Sequence, residues 1–190
     1  MRALSLLLIG VCVCAASPIE AGQAGGAGAP ETFSANAQAG NRAGSAVSAS
    51  IQIHVERYTP DFDRNAVQEA LRVGGYPGFL PALRKAPDVG YVELGGQKTT
   101  IRWARQTSSD AGRTIVVVTD KPVAFLGGAA AGAKSRAGYE VAIIQLKVDG
   151  QGSGTGTMAA AARVKPGGET GVQVDDYAET PIALTAVLRK

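Results

Sequence analysis

Alternation of apolar and polar residues along the chain predicts a series of β-strands. In the first, predicted over residues 50–58, Ile51, Ile53 and Val55 alternate with polar side chains, the pattern of a strand with one buried face. Turn-forming residues separate seven further candidate strands, which span 90–94, 99–106, 113–119, 139–148, 152–164, 171–177 and 182–189. Because the connections between these later strands are too short for helical crossovers, the sequence predicts antiparallel pairing.

A helical period replaces the alternation after the first strand. Thr59 and Pro60 are typical of a helix start, and the pair Gly74-Gly75 is typical of a helix end. Residues at helical spacing form one apolar face between these limits: Phe62, Ala66, Val67, Ala70 and Leu71. A second short helix is predicted over 78–85. The elements together predict an α+β fold: a mostly antiparallel β-sheet, curled into a sandwich or a partial barrel, with one or two short helices inserted after the first main strand.

The hairpin predicted over 139–164 has a distinctive small-residue pattern. Glycines occupy every second position at the start of its second strand: Gly152, Gly154 and Gly156. A three-residue loop would pair Val148 with Gly152 and place all the glycines on the buried face. Glycines on a buried face leave room for a bulky neighbour, and the predicted helix and the indole of Trp103 are the two candidates.

The beginning of the chain has the features of an export signal. Met1-Arg2 is a short positive end, an apolar run follows, and the small residues at 14–17 suit cleavage by a signal peptidase. The apolar run is shorter than the roughly 20 residues of a membrane-spanning helix. The sequence therefore predicts a signal peptide over 1–21, an exported protein that is periplasmic or secreted, and no permanent membrane anchor after cleavage.

Composition divides the rest of the chain into two parts. The segment 22–49 is rich in glycine and alanine and poor in large apolar residues, so we expect a flexible tether, with a candidate short strand at 32–35. Residues 50–190 are enough for a single α+β domain with its own core.

The cysteine and charge content narrow the chemistry of this domain. Cys12 and Cys14, the two cysteines of the chain, both lie in the predicted signal peptide. Disulfides, thiol catalysis and tetrahedral zinc sites are therefore excluded from the predicted mature chain. The net charge is +3, but the basic residues form no stripe with interleaved aromatics, so nucleic acid is not an expected partner.

The sequence contains no pattern that points to catalysis, a cofactor or a metal. His54 is the one histidine, and no nucleophile-elbow motif accompanies it. The glycine-rich segment 150–156 lacks the spacing of a dinucleotide loop and is not followed by a helix. Asp175 and Asp176 alternate to opposite faces of a strand, and together with Glu179 they indicate a solvated strand end rather than calcium ligands. We therefore expect no cofactor and no metal, and the sequence favours a non-enzymatic function over an enzymatic one.

Five residues remain as candidate ligand or partner contacts: Trp103, Arg102, Arg105, Lys134 and Arg136. The indole stands between two arginines in one predicted strand, and a place in the core is the alternative for it. The other two basic residues belong to the long connection 125–138, which is either a binding loop or an insertion without a role.

Several segments together resemble a family of small exported bacterial proteins of unassigned function. They read HVERYTPDFDRNAVQEAL, GGYPGFLPALRKAPDVGYVEL, IRWARQ, VVVTDKP and GTGTMAAAARVKPGG. The resemblance covers roughly residues 51–190. It implies an export signal and a single domain, and it brings no catalytic or binding residues with it.

Three functions remain open at this level. The first is a non-enzymatic binding or structural module of the cell envelope or extracellular space, with an envelope or extracellular protein or a small ligand as its partner. The alternative is a carrier of a small apolar or amphipathic ligand in a sheet-lined cavity bounded by Ile144, Leu146 and Trp103. A hydrolase ranks third, because it would require acids, Lys or His54 to converge in a cleft.

Overall fold

The computed structural model describes residues 28–40, 46–124, 136–168, 170–178 and 180–190. The predicted signal peptide and its cleavage region lie outside the described residues.

The described part of the chain forms nine β-strands and one long, bent helix. In chain order they are β1 (Glu31–Gly40), β2 (Ala46–Val55), α1 (Asp61–Lys85), β3 (Gly90–Leu94), β4 (Gln97–Ser109), β5 (Gly112–Thr119), β6 (Val141–Val148), β7 (Ser153–Pro166), β8 (Val172–Tyr177) and β9 (Ile182–Arg189). The sheet order is β6-β5-β4-β3-β2-β1-β9-β7-β8, and an additional β6–β7 pair closes eight of the strands into a barrel. All the pairs are antiparallel, so the predicted α+β fold with a mostly antiparallel sheet is confirmed.

The expectation of a flexible tether over 22–49 is wrong for β1 and for the first residues of β2. β1 pairs with β2 along its whole length and with β9 on its other side. Phe33, Ala35 and Ala37 are buried because they face the barrel interior. Small side chains suffice at two of these positions, since the neighbouring strands supply the large apolar groups.

One face of each barrel strand points inward, and aliphatic side chains fill the interior. Inward-facing residues with no exposed surface include Phe33, Ile51, Ile53, Val92, Ile101, Ile115, Ile144, Met158 and Val187. A side chain with zero accessible surface has no water-sized void beside it. No water-sized cavity therefore borders these residues inside the barrel.

The helix α1 consists of two arms joined by a sharp bend. Gly75 has φ 58° and ψ −157°, which lie outside the helical region, so the predicted stop at the glycine pair is confirmed. The second arm ends at Lys85, ahead of the proline that follows, as the sequence predicts. The arms pack closely, because a Cβ at Gly78 would lie 2.8 Å from the carbonyl oxygen of Ala70.

α1 packs on the outer face of the barrel and forms a second core there, over β4 and β7. Its buried side chains are Val67, Leu71, Phe79 and Leu83, which pack in one cluster with Trp103 and Ile143 of the barrel wall. Phe62 is instead 84% exposed. Ala66, on the same predicted face, is exposed as well. The predicted apolar face is therefore wrong at these two positions, because nothing in the described structure covers them.

The β6–β7 hairpin has the predicted faces with a different register. Val148 pairs with Gly154 rather than with Gly152. The turn is longer than expected because the side chain of Asp149 accepts the backbone N–H of Ser153, which holds the intervening residues in a wider loop. A shift of two residues leaves the side chains on their predicted faces as far as Met158. Ala162 and Val164 lie beyond an irregularity in β7 and face the outer core instead.

The glycines of this hairpin bring β6 and β7 close together. A Cβ at Gly154 would collide with the carbonyl oxygen of Lys147, and one at Gly156 would lie 2.5 Å from that of Gln145. The helix and Trp103 lie on the outer face of the wall, away from the glycines. The predicted role of the glycines as space for the helix or the indole is therefore wrong.

Candidate functional site

Polar side chains close one mouth of the barrel. We call them the Glu31 cluster: Glu31, Tyr58, Gln106, Arg113 and Arg189. Glu31 Oε1 accepts hydrogen bonds from Arg113 and Arg189, each at 3.0 Å, and Oε2 accepts from the Tyr58 hydroxyl at 2.6 Å and from Arg113 at 3.3 Å. Arg113 also donates to Gln106 at 2.8 Å. Four of the five continue the inward series of their strands at one end of the barrel: Glu31, Gln106, Arg113 and Arg189. Tyr58 joins them from the connection that follows β2.

The Glu31 cluster keeps its carboxylate ionised. Burial opposes ionisation, but hydrogen bonds from Arg113, Tyr58 and Arg189 outweigh burial and lower the pKa of Glu31. Burial and the neighbouring carboxylate raise the pKa of Tyr58. A carboxylate held by four hydrogen bonds and a phenol held protonated are poorly suited to exchange protons near neutral pH. The Glu31 cluster therefore fits a structural role, in which it closes the mouth of the barrel.

A groove lies on the outer face of β5 and β6, facing the β7–β8 hairpin, and we call it the outer groove. Its floor consists of the outward side chains Thr114, Val116, Ile143, Gln145 and Lys147. Its wall consists of Gly168, Thr170, Val172, Gln173, Val174 and Tyr177. The outer groove encloses about 410 Å³ and is open to solvent along one side.

A second depression, of about 730 Å³, continues the outer groove toward the β4–β5 and β6–β7 turns. Its lining includes hydroxyl groups, from Thr107, Ser108, Ser109, Ser153 and Thr155. Thr114 and Lys147 line both spaces, so the two adjoin each other. Lys147 is exposed and has no ion-pair partner in the part of the chain that the structure describes.

The outward positions of β6 explain where the groove lies. Val141 and Ile143 belong to the core beneath α1, whereas Gln145 and Lys147 come next along the same face and are not covered by the helix. The polar groove floor therefore begins where the covering layer ends.

β8 forms one side of the outer groove and has an unpaired edge. Among the described strands, β8 pairs with β7 alone. Main-chain groups along its other edge therefore have no strand partner, over a segment that contributes Gln173 and Tyr177 to the groove. An edge of this kind is a template for a further strand.

Two of the predicted contact residues, Trp103 and Arg102, lie in different surroundings. Trp103 is fully buried beneath α1, so the core alternative holds for its indole and a direct contact with solvent is excluded in this conformation. Arg102 bridges Asp88 and Asp120 and donates to the carbonyl oxygen of Ala86 at 3.1 Å. It ties the end of α1 to the barrel wall.

The other predicted contacts are also dispersed. Arg105 shares the outer face of β4 with Trp103, two positions along the strand. Arg136 lies over the ring of Tyr139, 4.9 Å from its centroid, and Arg163 lies 5.2 Å from the same centroid. Lys134 and most of the connection 125–138 lie outside the described residues.

His54 and the acidic residues near the end of β8 are each engaged with different neighbours in the described structure. His54 Nδ1 lies 2.8 Å from the Thr32 hydroxyl, and its ring stacks on Tyr91 at 5.0 Å. Asp175 pairs with Lys165 at 3.4 Å and Asp176 accepts the Tyr139 hydroxyl, while Glu179 lies outside the described residues. No group of three or more metal-ligating side chains occurs within the described ranges.

Sequence reasoning missed Thr114, Gln145 and Lys147 as site residues. A signal for two of them is present: the inward positions of 141–148 are all apolar, while the outward ones change from apolar to polar halfway along. That change marks the limit of a covering layer. The β7–β8 hairpin, which faces these residues across the groove, lies later in the chain, so the pattern within 141–148 does not identify it.

No family model, no curated protein and no solved structure matches this chain. The resemblance to small exported bacterial proteins therefore stays a prediction. Within the described ranges, no helix has both the length and the apolar character required to cross a membrane.

Proposed function

We propose that this chain is a non-enzymatic binding module of the cell envelope or extracellular space, and that its outer groove holds an extended segment of a partner protein. The observation that carries this proposal is the unpaired edge of β8 beside a floor of hydroxyl, amide and ammonium groups. The predicted export signal places the partner outside the cytoplasm.

Strand addition supplies the affinity in this proposal. A peptide laid along the edge of β8 pairs its N–H and C=O groups with main-chain groups that lack a strand partner, and its alternate side chains then face the groove. Val116, Ile143 and Val172 offer apolar contacts, and Gln145 and Gln173 offer amide hydrogen bonds. The groove therefore favours an extended segment with mixed apolar and polar side chains.

Charge supplies part of the specificity. Lys147 is exposed at the junction of the two depressions and has no ion-pair partner among the described residues. An acidic side chain in the bound segment complements it, and rim charges of this kind mainly affect association and choice of partner.

The packed interior favours this function over the carrier of an apolar ligand. Ile144 and Leu146, proposed as cavity walls, face the filled barrel, and Trp103 faces the separate outer core. A ligand in the barrel would have to displace side chains that leave no water-sized void. The saturated hydrogen bonding of Glu31 likewise gives no support to a hydrolase.

Selection of short peptides from a displayed random library on the purified protein tests the proposal. We expect enriched peptides to contain an acidic residue, to shift the amide resonances of β5, β6 and β8, and to protect the β8 amides from hydrogen exchange. Lys147→Glu should weaken their binding roughly tenfold or more.

Lys98→Glu is the matched control, because Lys98 is an exposed lysine on the part of β4 that pairs with β3, outside the groove lining. This variant should bind the peptides as the unchanged protein does. Enriched peptides that shift other strands, or that bind the two variants equally well, would refute the groove as the binding site.

A further inference from the structure

The second depression lies over a row of polar side chains that crosses four strands. Thr107 of β4 pairs with Thr114 of β5, Thr114 pairs with Lys147 of β6, and Lys147 pairs with Thr155 of β7. Residues paired in this way lie on the same face of the sheet, which is here the outer one. Because neighbouring strands are about 4.8 Å apart, the row places three hydroxyls and one ammonium group along roughly 14 Å.

The turns that join β4 to β5 and β6 to β7 border this row at one end of the strands. They add the hydroxyls of Ser108, Ser109 and Ser153, so six of the thirteen lining residues carry a hydroxyl. The volume of about 730 Å³ lies within the usual range of small-ligand sites. A ligand therefore enters this depression without moving a helix and without exposing a buried core.

The charged groups of the lining balance one another. Arg113 donates to Glu31 in the Glu31 cluster. Asp149 Oδ1 accepts the backbone N–H groups of Gln151 and Ser153, at 2.8 Å and 2.9 Å. Asp149 also lies in the same lining as Lys147 and has the opposite charge. The second depression as a whole therefore has little net charge, which favours a neutral ligand over a small anion.

The strands beneath the second depression offer no free edge. In the described structure β4, β5, β6 and β7 each have a strand partner on both sides, in contrast to β8. An extended polypeptide would find no unpaired main-chain groups here, so strand addition is confined to the outer groove. Hydroxyl side chains are the polar groups that remain. Each of them is both a donor and an acceptor, so a set of them complements a ligand that itself carries several hydroxyls.

We propose that the second depression binds a neutral saccharide, as part of a glycan outside the cytoplasm. Hydroxyls of the sugar exchange hydrogen bonds with Thr114, Thr155 and Ser109, and the ammonium group of Lys147 donates to a further sugar oxygen. The C–H groups of the sugar ring contact the threonine methyl groups and Ala111, which line the same space. The site adjoins the outer groove, but its ligand is not a protein segment, so the inference goes beyond the proposed function.

Titration of the full protein with neutral oligosaccharides tests the proposal, with backbone amide resonances as the readout. The probes are cellotetraose, maltotetraose and tetra-N-acetylchitotetraose. We expect at least one of them to shift the amides of residues 107–114 and 147–155 saturably and to leave the β8 amides unprotected from hydrogen exchange. Peptides selected for the outer groove protect β8 instead, so the two proposals can fail independently.

Thr155→Val should weaken saccharide binding roughly threefold to tenfold, as expected for the loss of one hydrogen bond. Thr157→Val is the matched control, because Thr157 is an exposed threonine two residues along β7 that lines neither depression. It should bind as the unchanged protein does. If Thr155→Val fails to fold, Thr114→Val tests the same row from β5.

Three results would overturn the proposal. The first is that none of the three saccharides shifts these amides saturably. The second is that Thr155→Val binds as tightly as Thr157→Val. The third is that sodium phosphate at constant ionic strength shifts the same amides where the saccharides do not, which would identify the second depression as an anion site.

Discussion

Glu31 shows how a charged residue occupies an inward position of a barrel strand. Glu31 is the last inward-facing residue of β1, after Ala37, Ala35 and Phe33, and it lies at the mouth of the barrel. Arg113 and Arg189 donate to it from β5 and β9, so the carboxylate remains satisfied although its side chain is only 12% exposed. Loss of one partner in such a cluster is costly mainly because the others are left unpaired.

Replacing Glu31 with glutamine should lower the free energy of unfolding by about 2 kcal/mol at neutral pH. Because the folded protein lowers the pKa of Glu31, the contribution of the carboxylate is complete above the usual carboxyl pKa and is lost as the pH falls through the lowered value. Urea denaturation from about pH 7 down to about pH 3 should show the two proteins converging in stability. A gap that is the same at every pH would contradict the proposed ion-pair role.

At the scale of elements, β7 contributes to both cores because its alternation is interrupted. Met158 faces the barrel interior, and strict alternation would place Ala162 and Val164 there too. The β6–β7 register shifts between the pairs that involve Ala159 and Ala162, and the later residues join the outer core beneath α1. This bulge also directs the end of β7, and hence β8, toward the outer face.

The glycines at the start of β7 set how closely β6 approaches. Gly154→Ala should destabilise the protein by about 2 kcal/mol, because its Cβ would collide with the carbonyl oxygen of Lys147. Gly150→Ala, in the adjoining turn, meets no atom within 4 Å and should change stability by less than about 0.5 kcal/mol. Thermal or urea unfolding of both variants measures the difference, and equal stabilities would mean that β6 can shift to accept the side chain.

At the scale of the whole molecule, closure of the barrel depends on β1. It joins β2 to β9 and so connects strands from opposite parts of the chain. α1 and the β7–β8 hairpin cover one part of the wall, over β4 to β7. The outward residues of β1 and β2, which include Ser34, Gln52 and His54, are polar or partly exposed.

Phe33→Ala tests whether β1 is an integral strand. Phe33 has no exposed surface, so its truncation should cost about 4 kcal/mol. Phe62→Ala removes the same side chain from a position that is 84% exposed, and it should cost less than about 0.5 kcal/mol. Denaturation curves of the two variants provide the measurement. If residues 22–49 were a flexible tether, both changes would be neutral.

Local patterns were sufficient to predict most of the elements and their buried faces. The alternation around Ile53 identifies β2, Gly75 marks the bend of α1, and the inward face of β6 follows from period-two spacing. These features depend on neighbours within a few residues, so the sequence contains the information directly. Of β1, only the candidate strand at 32–35 was predicted. The rest was missed because Ala37 is small, and only its pairing with the distant Leu184 shows that it is buried.

Such local patterns could not predict the candidate site, and the reason is physical. Alternation shows that one face of a strand is covered, but it does not show which surface covers it. Lys147 belongs to the groove because Gln173 and Tyr177 lie opposite, and the burial of Trp103 depends on α1, which packs over it. These contacts join segments far apart in the chain. They depend on the packing of all the elements together, which short-range sequence patterns do not encode.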